Sequence, residues 1–130
     1  MAQSTANVSL SVIGQIAVPV KDIGRAVAFY RDSLGMKFLF QAPPALAFFD
    51  CNGLRLMLDV PEDKEFAHPS SIIYFKVDDI QAATKSLKGK GVQFRVEPHV
   101  IAKMPDHTLW MAFFFDSEGN TMALMSEVPG

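Results

Sequence analysis

The chain has 130 residues, 49% of them hydrophobic, which suits one domain with one core. Its 12 basic and 14 acidic side chains leave a net charge of −2, so the basic excess of a nucleic-acid binder is missing. The single cysteine, Cys51, excludes a disulfide scaffold and points to a reducing cytoplasm.

Residues 1–11 read as a loose tail. The first dozen, MAQSTANVSLSV, are mostly small and polar. They offer neither the basic start of a signal peptide nor the ~20 apolar residues of a membrane span, so no membrane partner is expected. Eleven Phe and seven Met suit either an ordinary core or a cavity lined by soft apolar side chains.

Strands are expected at 13–20, 36–41, 45–51 and 54–59, then at 71–77, 92–97, 99–104, 108–115 and 120–126. Between them stand two helices. Asp22 and Asp79 are N-caps, with a carboxylate for the free amides of the first turn. Ile23, Ala26, Val27, Tyr30 and Leu34 form one helical stripe, predicting a helix over 23–34. Ile80, Ala83 and Leu87 predict a second over 80–90, and Gly35 and Gly91 stand where these helices would stop.

The halves repeat. Ile16–Ile23, IAVPVKDI, matches Ile73–Ile80, IYFKVDDI, at an offset of 57. Phe48–Gly53, FFDCNG, matches Phe114–Gly119, FFDSEG, at an offset of 66. The second copy therefore carries nine extra residues, roughly Pro98 to Leu109, which hold two of the three histidines. Each half reads as strand, helix and three strands. The modules span 12–60 and 70–127, joined by a polar linker over 61–69. A module of ~50 residues cannot hide both its helix stripe and its sheet face alone. Pairing the two would bury the inner faces around a shared hollow.

This doubled βαβββ unit resembles the vicinal oxygen chelate superfamily, which includes glyoxalase, bleomycin-resistance and extradiol dioxygenase proteins. The carrying segments are 16–36, 48–58, 73–92 and 114–125, among them AVAFYRDSLGM and the DSEGN turn. The resemblance implies an α+β fold: a curved mixed β-sheet around a cavity, helices on the outer face, and a homodimer. It also implies four metal-ligand positions on the inner sheet face. These fall on Gln15 and Met57 in the first module, and on Ile72 and Ala123 in the second. An amide, a thioether and two hydrocarbons do not make a site for a hard divalent ion. No metal or other cofactor is therefore expected, and the four residues should converge without an ion.

Period-two alternation extends the inner face to Ala17, Arg55, Asp59, Tyr74, Lys76, Thr121 and Met125. Leu54, Leu56, Leu58, Ile73, Phe75, Met122 and Leu124 then face the helices. The inner set suits a small-molecule cavity, with Met57, Ile72, Tyr74, Ala123 and Met125 as apolar lining. Gln15 and Arg55 would orient a ligand's polar end, Arg55 by a bidentate contact to a carboxylate. His107 and Trp110 would close the mouth.

Glu97, His99, Asp106 and His107 bring carboxylates and imidazoles into one short region. A hairpin bringing His99 near His107 would suit an acid–base pair, a metal site outside the family positions, or only a polar turn. His68, beside Pro69, reads as solvated, and Cys51 as structural. The leading expectation is a module that binds a hydrophobic or aromatic small molecule. The alternative is a lyase, isomerase or dioxygenase, metal-free or with rearranged ligands, using His99 or His107.

Overall fold

The computed structural model describes residues 8–62 and 68–130. The expected tail and linker thus fall partly outside the described residues. In chain order the elements are β1 (Gln15–Pro19), α1 (Ile23–Ala28), β2 (Lys37–Ala42), β3 (Leu46–Cys51) and β4 (Leu54–Asp59). Then come β5 (Ile73–Lys76), α2 (Ile80–Gly89), β6 (Phe94–Lys103), β7 (His107–Phe115) and β8 (Thr121–Pro129).

These form two four-stranded mixed sheets, ordered β1-β4-β3-β2 and β5-β8-β7-β6. In each, the first strand runs parallel to the last and the other pairs are antiparallel. The two βαβββ modules thus share one topology, and the fold is α+β. Val20 and Val77 occupy equivalent places just past β1 and β5. Each donates its amide to the last strand, to Asp59 O at 2.8 Å and Met125 O at 2.9 Å.

The helices start as their caps direct. Asp22 accepts from Arg25 N and Asp79 from Ala82 N, both at 3.0 Å. The last turn of the first helix, Phe29–Ser33, is π-helical rather than α-helical, closed by Leu34 N donating to Phe29 O at 3.0 Å. Gly91, at φ +88°, ends α2. There Val92 N donates to Leu87 O and Gly91 N to Lys88 O, which satisfies two terminal carbonyls.

Along each strand, one parity is buried under the helices and the other is open. Val18, Leu56 and Leu58 in the first sheet, and Phe114, Met122 and Leu124 in the second, belong to the core. Ala26, Val27 and Tyr30 of the first helix, and Ile80 of the second, pack onto them.

Two expectations need correction. The strands expected at 92–97 and 99–104 are one, β6, so the extra residues lengthen the β6–β7 hairpin. The aromatic repeat is also displaced by one residue. Met57 pairs with Phe48, whereas its repeat mate Ala123 pairs with Phe113. Phe48 therefore matches Phe113, and the β7–β8 turn is one residue longer than the β3–β4 turn. The similar FFD letters hid this, because three adjacent phenylalanines blur the register.

That longer turn joins the modules. Asp116 accepts from the Glu118 and Asn120 amides, both at 2.8 Å, and from the Tyr30 hydroxyl at 2.7 Å. Asn120 Nδ2 reaches Pro19 O at 2.9 Å. Glu118 accepts from the Lys21 amide (2.8 Å), the Asp22 amide (2.9 Å) and the Ser117 hydroxyl (2.9 Å). Arg25 adds Nε at 2.7 Å and Nη2 at 2.9 Å. The turn of the second module thus clips the helix start of the first.

Candidate functional site

β1 and β4 carry Gln15, Ala17, Arg55 and Met57 on the open face of the first sheet, because parallel pairing sets Gln15 beside Arg55 and Ala17 beside Met57. Gln15 Nε2 donates to Met57 Sδ at 3.6 Å, so these two expected partners do meet. Met57 continues across to Phe48, and Phe48 stacks with Phe40 at 4.8 Å between ring centroids. The Arg55 guanidinium stands over the Phe48 ring at 5.8 Å. The first sheet thus presents an aromatic floor with a cation and an amide at one end.

The second sheet repeats the arrangement with different chemistry. Tyr74 lies beside Ala123, and Ala123 opposite Phe113. Because Ala123 is small, the Tyr74 and Phe113 rings meet edge to face above it, at 6.1 Å. Ala123 is consequently 0% exposed although it belongs to the open face. Ile72, just before β5, and Tyr74 are each 43% exposed. Met125 lies between Lys76 and Met111. The pairs Gln15–Met57 and Ile72–Ala123 stand on separate sheets, which share no strand pairing among the described residues.

Trp110 is not on this face. It opposes Ser126 and packs against the core from the helix side, near Asp79, Ile80 and Val128. Its odd-numbered neighbours Met111 and Phe113 take the open face instead. Sequence reasoning also missed Phe48 and Phe113. Their pairing with the predicted Met57 and Ala123 could have found them, had the repeat been aligned one residue earlier.

The two histidines do not pair. His99 opposes Met111, whereas His107 lies four residues away along β7 and opposes Pro129. At ~3.4 Å per residue that is ~14 Å of strand. The β6 bulges shift the register, which simple hairpin counting ignores. Glu97 turns instead to Lys88 Nζ at 2.6 Å. His107 Nδ1 lies 2.8 Å from Asp106 Oδ1, and this imidazole holds the Asp106 carboxyl below its ordinary range. His68 is exposed at the linker end, with its Nδ1 3.0 Å from Pro69 O. Cys51 Sγ points to Met36 Sδ at 3.8 Å, and burial, helped by Asp50, pushes the thiol up.

A groove of about 270 Å³ lies on the other side of the second sheet, at the seam between modules. Leu34, Met36, Phe75, Ala83, Leu87 and Phe114 are among its walls. Phe75 and Phe114 have the helix-facing parity, so this groove is separate from the open face. Among the described residues, no helix is long and apolar enough to cross a membrane.

Comparison with known proteins agrees with this architecture. Residues 12–124 match the sequence profile of the Glyoxalase/Bleomycin resistance protein/Dioxygenase superfamily. A "Glyoxylase-like domain-containing protein" of Didymella fabae is 30% identical over 126 residues, covering 91% of this chain and 94% of that one. A lactoylglutathione lyase from Agrobacterium tumefaciens superposes with a TM-score of 0.73 at 21% identity, over 91% of this chain and 95% of its own. A superfamily member from Sphaerobacter thermophilus does so with a TM-score of 0.76 at 22% identity, over 91% and 98%. The doubled βαβββ topology, the repeat and the match over nearly the whole chain have one meaning: this protein belongs to the glyoxalase/bleomycin resistance protein/dioxygenase superfamily.

Proposed function

We propose that the protein binds a small apolar or aromatic molecule carrying a carboxylate, on the open sheet face, without a divalent metal at the superfamily's ligand positions. One observation carries the reading. The strands that bury Val18, Leu56 and Leu58 beneath the helices leave Gln15, Ala17 and Arg55 exposed and Met57 only half-buried on their other side. An aromatic floor beside the Arg55 guanidinium, which forms no salt bridge among the described residues, suits an aryl carboxylate, which would take two parallel hydrogen bonds from Arg55.

The donor set supports the metal part. Hard divalent ions want carboxylate and imidazole. Gln15 turns its amide N–H toward Met57, Ile72 is hydrocarbon, and Ala123 lies under the Tyr74–Phe113 rings. These residues do not fit such an ion, so no step of the proposed function runs through one.

NMR-monitored titration with benzoate and 1-naphthoate tests the proposal. Saturable shifts should appear on β1 and β4 and be abolished in Met57→Lys with the fold intact. Arg55→Gln should weaken 1-naphthoate about tenfold or more, the scale of a lost charge-assisted pair, and leave naphthalene unaffected. Unfolding of Met57→Lys, or unchanged affinity in both variants, would overturn the reading.

A second reading rests on the Asp106–His107 contact, in which a carboxylate orients an imidazole that can serve as a base in a metal-free lyase or isomerase. It requires turnover that disappears in His107→Ala, and binding without turnover would refute it.

A further inference from the structure

We propose that His99, Met111 and Met125 form a binding site for copper(I) on the open face of the second sheet. The three residues come from consecutive neighbouring strands, β6, β7 and β8. His99 opposes Met111, and Met111 opposes Met125. Directly opposed residues share a face, with Cβ atoms ~4.5–5.5 Å apart. The imidazole and the two thioethers therefore form one row across the sheet, and all three residues are partly buried.

A bulge sets this row. The register shifts between Val96, which opposes Phe113, and His99. Without the extra residue His99 would stand opposite Trp110 and point to the helix side. Bulges re-aim side chains in this way. The ring is also oriented. His99 Nδ1 lies 2.9 Å from Glu97 O. A carbonyl can only accept, so Nδ1 carries the hydrogen and the lone pair is left on Nε2. Metal-ligating histidines are held by this kind of contact.

The donor chemistry selects the ion. Thioethers are soft ligands that suit copper(I), and imidazole is compatible with it. A set with no carboxylate is poor for magnesium, calcium or manganese. Methionine has three rotatable bonds, so both sulfurs can adapt to one ion above Met111. Lys76 stands next in the row beside Met125, but its ammonium is 3.1 Å from Glu127 Oε1, which offsets its charge. The site lies on the second sheet and does not involve Met57 or Arg55, so its failure would leave the ligand reading untouched.

The test is titration of the whole protein with silver(I), a redox-inert surrogate, and with copper(I) against a chromophoric chelator under reducing conditions. One equivalent should bind. The methyl signals of Met111 and Met125 should shift, and that of Met57 should not. His99→Ala, Met111→Leu and Met125→Leu should each weaken binding at least about tenfold, the lower end of what is lost even for residues that only support a ligand. The Met→Leu changes nearly conserve volume, so the fold should tolerate them. The rival is the Cys51–Met36 sulfur pair. No stoichiometric binding, wild-type affinity in both Met→Leu variants, or loss only in Cys51→Ser would overturn the proposal. Unshifted Met111 and Met125 methyls in the wild type would do so even if a variant failed to fold.

Discussion

Glu118 gives the sharpest stability prediction. Its side chain is 1% exposed and accepts from Arg25, two backbone amides and Ser117. The Arg25 guanidinium first, then the Asp22 and Lys21 amides, draw its pKa from 4.5 to about 2, against the opposing effect of burial. At ~1.4 kcal/mol per tenfold change, that difference corresponds to roughly 3 kcal/mol. Arg25 is 53% exposed, so solvent screens part of this, and ~2–3 kcal/mol is the better expectation. The folded pKa is depressed, so this stability is fully present above the unfolded value near 4.5. It is lost progressively as the pH falls toward 2. Glu118→Gln keeps the shape, removes the charge and should cost ~2–3 kcal/mol at pH 7, a drop of ~10 °C in Tm for a chain of this size. The assay is urea unfolding by circular dichroism at pH 7, 5, 4 and 3. The difference between wild type and Glu118→Gln should shrink steadily below pH 4.5. A constant difference down to pH 3, or none at pH 7, would refute the role given to this carboxylate.

Phe49 is fully buried and packs against Tyr30 and Phe38, so Phe49→Ala should cost ~3–5 kcal/mol in the same urea assay. Tyr30 is buried and donates to Asp116, an arrangement that also pushes its own pKa up. Tyr30→Phe should therefore cost ~1–3 kcal/mol, because the buried Asp116 carboxylate loses a donor. The raised Cys51 thiol should react with a disulfide reagent at pH 8 more slowly than free cysteine, and equal rates would contradict the burial argument.

The fold was legible because its determinants are local and repeated. Asp22 and Asp79 cap, Gly91 stops, and the strand parity of Leu56, Leu58, Met122 and Leu124 points to one core. Each of these signals needs only a few neighbouring residues, and two copies check one another. The open-face placement of Gln15, Arg55 and Met57 follows from the same parity. The π-helical end of the first helix carries no such signal, since its stripe continues through Leu34 as in an α-helix.

What the sequence could not decide is register and contact across the chain. Trp110, Phe113 and Phe114 are equally apolar, and only pairing with β8 shows that Phe113 is open while Trp110 and Phe114 face the helices. His99 and His107 look close in sequence, yet bulges set them opposite Met111 and Pro129. DSEGN read as a turn, but its burial against Tyr30 and Arg25 spans more than eighty residues of chain. Local preferences depend on neighbours along the chain and are written in it. Which strand residue meets which partner is settled by the packing of both modules at once, and that exists only in the folded protein.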